Sequence, residues 1–403
     1  MIHFSLAAWL WLAFSVNTAA DHHPDWGFFG HRKINKMAIF TLPEEMLPLY
    51  KTKLDYLEEH AVDPDKRRYA TPFEAIRHYI DLDQWGQLPF NDLPRDWNSA
   101  LALHSSLHVV TENNDTLDLH LQKSTADTFL IQPLGIKISV VSYNRLFRKR
   151  VLPQYFEESW SCPIDTINND LRLSLQGRTA FWTDTLSAHG ILPYYLPIAL
   201  DKLTRAFVDR DERKILQYSA EIGHYIGDAH VPLHTTKNYN GQLTGQHGIH
   251  AFWESRLPEL FADAQYDFFA GKASYIKDPT SYFWNIIFES HQLLPAVLEG
   301  EKKLSQSFPQ DNQYCYDERL GQTVRIQCRE YAKAYHDQMR GMVEDRMKAA
   351  IQAIGSAWYT AWVNAGQPDL SQLSSTLPLA IEKEGGDNET KSTQKIRIRE
   401  HEN

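Results

Sequence analysis

Cysteine is scarce in this chain, three residues in 403, which excludes a disulfide-stapled scaffold and a thiolate zinc finger. Cys315 and Cys328 are taken as a pair, with Cys162 left free or buried. No cysteine spacing fits a zinc motif, so a metal site here has to use His and carboxylate ligands. Positive charge is also in deficit: 41 Lys and Arg face 51 Asp and Glu, a formal net charge of -10. The chain as a whole therefore lacks the basic footprint of a nucleic-acid-binding protein. A phosphate substrate is not excluded, because each bound Zn²⁺ returns two positive charges where a phosphate docks. Long apolar runs are missing as well. The stretch around LAAWLWLAF near the start has about 11 apolar residues, too few for a bilayer core of roughly 30 Å. Followed by VNTAA, it reads as a signal peptide over residues 1–20, cleaved before Asp21, rather than as an anchor. A secreted or periplasmic location is expected, and no later segment reads as transmembrane or as an internal repeat.

What is present is a globular composition, 43% hydrophobic and 23% charged, enough to bury a sizeable core. Apolar residues recur at helical spacing in Ile34, Met37, Ala38 and Phe40, in LPIALDKLTRAFVD and in ERKILQYSAEIGHYIGDAH. The strongest amphipathic runs are SYFWNIIFESHQLLPAVLEGEKKLSQ and VRIQCREYAKAYHDQMRGMVEDRMKAAIQAIGSAWYTAWV, read as walls of a bundle. The expected fold is all-α, a multi-helix bundle in one domain over residues 21–365 with a metal cluster in a cleft. Residues 105–163 are the least helical; LHVV, TFLI and IKISVVSY read as short strands of a small irregular insertion or lid. The run RLFRKR within it, with Arg145, Arg148, Lys149 and Arg150, reads as a solvated charge run or a polyanion contact. Residues 366–403 read as a disordered polar tail.

The chemistry concentrates between His224 and Glu254. His224 and Asp228 are four apart, as are His250 and Glu254, which puts each pair on one helix face. Pro232 stops the first helix near His230 and turns His234 back toward the same place. One His and carboxylate pair alone is more often a surface hydrogen bond, but two pairs flanking a third His point to a metal centre.

WGFFGHR, DPDKRR with RHYIDLD, GHYIGDAHVPLH and GIHAFWE, in that order, resemble the zinc-dependent phospholipase C and single-strand-specific nuclease/3′-nucleotidase superfamily over about Trp26 to Leu260. The resemblance implies an all-α fold with up to three Zn²⁺ in a cleft. It assigns Asp63, His78, His224 and Asp228 to a first zinc, and His234, His250 and Glu254 to a second. A third takes His31, the second oxygen of Asp228 and main-chain atoms of Trp26. Relatives start their mature chain at that Trp, whereas cleavage before Asp21 leaves DHHPD ahead of it. His22, His23 or Asp25 then become candidates to replace the missing amine. By the same resemblance a zinc-activated hydroxide attacks phosphorus, Asp63 orients it or takes its proton, and Lys66 or Arg67 neutralises phosphoryl oxygens. Tyr79 and Asp81 match the positions that stack on and hydrogen-bond a base.

The expected activity is a phosphodiesterase acting as a nuclease or endonuclease on single-stranded nucleic acid, or on 3′-nucleotides. The alternatives are a phospholipase C acting on phospholipid and a non-catalytic zinc-binding protein. The second site, with three protein ligands, leaves a coordination position open, which favours an enzyme over a closed structural site. His60 reads as a helix-end cap, His230 and His247 as neighbours turned off the ligand face, and Trp253 as packing.

Overall fold

The computed structural model describes residues 28–68, 70–319 and 321–373. Trp26, the signal peptide and most of the polar tail lie outside the described residues. The two helices Leu192–Val208 and Glu212–Ala229 pack antiparallel at the centre of the molecule. Each is specified locally. Pro193 sits at the first turn of one, where its missing N–H costs nothing, and the Asp211 side chain accepts from Lys214 N to cap the other. Helix Met342–Asn364 lies across both and against Phe28–Ala38, burying Trp358, Ala357 and Ile354 completely. Helix Pro279–Ser307, capped by Asp278, covers Leu192–Val208 and the turn that holds His234.

The continuous helical periodicity expected from Val324 to Val363 is interrupted twice. Residues Gln322–Gln327 form a strand, and Gly341, at φ 85°, separates helix Arg329–Gln338 from Met342–Asn364. A positive φ is accessible to glycine without a steric cost, so the chain turns there.

The all-α expectation is wrong: the fold is mixed α/β, with eight strands among the described residues. Six form one antiparallel sheet, β1 (Ser105–Val110), β2 (Thr116–Thr125), β3 (Thr128–Gln132), β4 (Ile136–Ser139), β5 (Trp160–Pro163) and β6 (Thr179–Asp184), in the order β4-β3-β2-β1-β6-β5. β7 (Tyr314–Arg319) and β8 (Gln322–Gln327) form a separate hairpin closed by the Cys315–Cys328 disulfide, and Cys162 is free and buried. The short strands expected at LHVV, TFLI and IKIS are present in β1, β3 and β4, but the stretch over 105–163 is not irregular: it is built of strands and a helical segment over 140–154, and its sheet continues to Asp184. Alternation explains it. Leu107 and Val109, Phe129 and Ile131, Trp160 and Cys162, and Ala180 and Trp182 all point to one buried face, as a period of two requires. That face closes on Tyr143, Leu146 and Phe147, and Trp182 Nε1 donates to the Tyr143 hydroxyl at 2.9 Å.

The sheet is joined directly to the segment around His78. After β6, Asp184 accepts from the N–H groups of Leu186 and Ser187. Asp81 N then donates to His189 O, Ile191 N to Ile76 O and Leu192 N to Tyr79 O. Tyr155 and Phe156 pack edge-on against Phe73, in the turn leading to His78. Among the described residues no helix is long and apolar enough to cross a membrane.

Candidate metal centre

Helix Glu212–Ala229 carries His224 and Asp228 on its buried face, at 0% and 1% exposure. The helix ends at Ala229, and a 3-10 turn at Pro232–Thr235 swings His234 back, as the proline spacing suggests. Helix Phe28–Ala38 brings His31 in from the other side, which requires Gly227. A Cβ there would stand 2.8 Å from both His31 Nδ1 and Ile34 Cδ1. His78 ends the 3-10 turn Ile76–His78. His250 and Glu254 come from the short helix Ile249–Ala251 and the π-turn Phe252–Arg256 that continues it. The π-turn still lets them meet, with His250 Nε2 2.6 Å from Glu254 Oε2.

These side chains form three groups whose ligand atoms lie within 4.8 Å of one another: Asp65, His78 and His224; His31, His224 and Asp228; and His234, His250 and Glu254. Asp228 divides its two oxygens between them. Oδ2 faces His78 Nδ1 at 2.9 Å and His224 Nε2 at 3.4 Å, while Oδ1 faces His31 Nε2 at 3.3 Å and His234 Nε2 at 3.8 Å. Main-chain carbonyls fix two tautomers: His224 Nδ1 donates to Ala61 O at 2.9 Å, and His234 Nδ1 to His78 O at 2.5 Å. Each Nε2 is thereby left as a bare lone pair aimed at the carboxylates, the form a metal needs.

The electrostatics call for positive charge. Burial works against the His31 cation, yet Asp228 and Glu254 push its pKa up to about 10. Burial would neutralise Asp228 and Glu254, but the histidines around them hold both carboxyls well below the ordinary carboxylate range. Asp65 is likewise lowered, against burial, by His224, Arg68 and His78. Ionised carboxylates and imidazole lone pairs packed this tightly are a donor set for a divalent cation. The buried His, Asp and Glu groups could hold a metal ion, with no thiolate among them.

Behind His78, its Nε2 faces Glu74 Oε1 at 3.7 Å. Glu74 is itself buried, held by Arg77 Nη1 at 3.0 Å and by the Tyr225 hydroxyl. Glu74 thus stands behind a histidine that could hold a metal, where an outer partner of a ligand is found.

The structure brings His31, His78, His224, Asp228, His234, His250 and Glu254 together and leaves Asp63 out. Asp63 Oδ2 lies 2.5 Å from His60 Nδ1, and its Oδ1 accepts from Lys66 Nζ at 2.8 Å. Its place is taken by Asp65, whose Oδ1 is 3.5 Å from His224 Nε2 and 3.6 Å from His78 Nδ1. Both residues belong to the one-turn helix Asp63–Arg67. Two positions there are about 200° apart around the axis, so only one carboxylate can face inward. The basic residue beside the cluster is neither Lys66 nor Arg67, which is spent on Glu221 at 2.7 Å; it is Arg68, with Nη1 3.8 Å from Asp65 Oδ1. Asp65 and Arg68 were legible only as part of the DPDKRR run, which does not say which member turns in. Tyr79 is fully buried, its hydroxyl donating to Ala188 O at 3.2 Å and its ring pressed against the Gly190 backbone, so it presents no face for stacking. Asp81 is also buried, 3.7 Å from His189 Nδ1. Trp26 lies outside the described residues.

Comparison with protein-family models finds none that matches the chain, and comparison with curated proteins finds no match.

Proposed function

We propose that the protein is an exported zinc-dependent phosphodiesterase of the single-strand nuclease and 3′-nucleotidase type. The observation that carries this reading is Asp228, a buried carboxylate whose two oxygens face histidines of adjoining ligand groups, 2.9 Å from His78 on one side and 3.3 Å from His31 on the other. Such sharing suits closely spaced cations acting on one phosphate. Imidazole with carboxylate is a donor set for zinc, and thiolate-free groups with few protein ligands keep coordination positions open for substrate. Bound Zn²⁺ supplies a water acidified to a pKa of about 7 and a positive field for the charge that builds on phosphoryl oxygen.

The chain's own residues do the rest. His224 and His234 keep their lone pairs on target through the carbonyls of Ala61 and His78. Asp65, less buried than the central ligands with 14% of its side chain exposed, is placed to orient a water or take its proton. In this reading it carries the role first given to Asp63. Arg68, beside it, neutralises a phosphoryl oxygen.

One observation favours the second reading, a phospholipase C: burial of Tyr79 removes the stacking platform a nuclease would use. A zinc-loaded sample is to be assayed in parallel on single-stranded DNA, RNA, a 3′-nucleotide and phosphatidylcholine. Turnover of the nucleic-acid substrates, abolished by exhaustive chelation, is the expected result. Turnover of lipid alone would replace the nuclease reading with the second one, and binding of zinc without turnover of any substrate would leave a storage or structural role.

A further inference from the structure

The RLFRKR run takes no part in the metal centre. It forms the end of helix Val140–Leu146 and the π-turn Phe147–Val151 that extends it. Tyr143, Leu146 and Phe147 turn inward to the sheet, while Val141, Arg145, Arg148 and Lys149 turn outward as one stripe. Arg150, the next cation, lies 3.5 Å from Asp170. Among the described residues no carboxylate pairs with Arg145, Arg148 or Lys149. Some exposed cations elsewhere sit on carboxylates, Arg205 on Asp201 at 2.5 Å, Lys303 on Glu299 at 3.5 Å and Lys333 on Asp337 at 2.5 Å, and others such as Lys51, Lys137 and Lys272 stand singly on the surface; the stripe differs in grouping three such cations on one helix face. Three neighbouring cations kept clear of a surplus of acid present charge for an anion from outside. The same chain segment then runs on to Tyr155 and Phe156, which pack on Phe73 next to the metal centre.

We propose that this stripe is a docking face for the phosphodiester backbone of single-stranded nucleic acid, holding a polymer on the sheet-bearing insertion. The proposal rests on the phosphodiesterase reading and extends it from a nucleotide to a polymer. The partner is a strand rather than a membrane because Val141 is the stripe's one apolar member and the inward apolar side chains are already committed to the sheet. Three phosphate contacts on a single strand contribute about 2 to the slope of log K against log salt.

The test measures anisotropy of a long fluorescein-labelled phosphorothioate oligothymidylate with the full-length, zinc-loaded protein between roughly 50 and 200 mM salt. Arg145→Glu/Arg148→Glu/Lys149→Glu is expected to lower the slope by about 2 and to weaken binding at the lowest salt by on the order of 10-fold. The neutral variant Arg145→Gln/Arg148→Gln/Lys149→Gln, checked by circular dichroism, should move the slope the same way without the strain of reversed charge. Arg205→Glu/Lys302→Glu/Lys303→Glu, the same change of net charge elsewhere, should leave the slope alone. An unchanged slope in the stripe variants, or an equal fall in the control, overturns the proposal. So does stripe-dependent capture by anionic phospholipid vesicles without binding of the oligonucleotide. If the strand binds through the stripe but the wild type hydrolyses no nucleic acid, the nuclease reading fails and the docking face stands.

Discussion

Replacing Asp65 and Asp63 one at a time by Asn separates the ligand from its near neighbour. Asp65 Oδ1 stands 3.5 Å from His224 Nε2 and 3.6 Å from His78 Nδ1, and 14% of its side chain is exposed. Asp65→Asn keeps the shape and removes the charge and an anionic ligand atom. Changing an outer-shell partner of a metal ligand costs 10- to 100-fold in affinity. Loss of a ligand itself belongs at or beyond the upper end, about 100-fold, or about 2.8 kcal/mol. Asp63, by contrast, pairs with His60 at 2.5 Å and with Lys66 at 2.8 Å, and half of the Lys66 side chain is in water. Screened pairs of this kind are worth about 1 kcal/mol or less. Asp63→Asn should therefore cost a little stability and change zinc affinity by less than about threefold, roughly 0.6 kcal/mol. Zinc affinity is read by competition with a chromophoric chelator after metal removal, and stability by urea unfolding of the metal-free proteins. If Asp63→Asn loses zinc while Asp65→Asn retains it, the assignment of the ligand is refuted.

Three further outcomes follow from the same geometry. Glu74→Gln leaves the ligands in place but withdraws the carboxylate behind His78; zinc affinity should fall by about 10-fold, and unchanged affinity would leave Glu74 a structural partner of Arg77 and Tyr225. Gly227→Ala puts a Cβ 2.8 Å from His31 Nδ1 and Ile34 Cδ1, an overpacking worth about 1–3 kcal/mol; an unfolding curve with an unmoved midpoint would show that the approach of His31 is slack. His230 is fully buried, and burial first, then Arg346, holds its pKa well below the ordinary 6.5. As pH falls below 6.5 the unfolded chain takes up this proton and the folded chain does not, so stability drops on the acid side. Between pH 7 and 5.5 the metal-free wild type should lose about 1 kcal/mol more than His230→Gln; parallel curves would contradict this.

The sequence by itself determined the heart of the centre. His224 with Asp228, His250 with Glu254, and the proline that returns His234 are local relations, set by helical spacing and by the one residue that cannot continue a helix. The Cys315 and Cys328 pairing was local too, since Cys315 lies on β7 and Cys328 directly follows β8 of the same hairpin. Tertiary structure decided what local spacing leaves degenerate. DPDKRR offers two acids and three bases on barely more than a helical turn, and only packing against His78 and His224 selects Asp65 and Arg68. Tyr79 has the residue type of a stacking platform, yet close packing against Gly190 buries it. LHVV, TFLI and IKIS are legible as short strands and fall in β1, β3 and β4, but their assembly into one sheet is not, for a related reason. Its strands are short, and alternation in a run such as SSLHVV acquires meaning only when β1 finds β2 on one side and β6, more than sixty positions along the chain, on the other. Pairing across that distance is a property of the closed chain, which is why the fold is mixed α/β although the strongest periodicities in the sequence are helical.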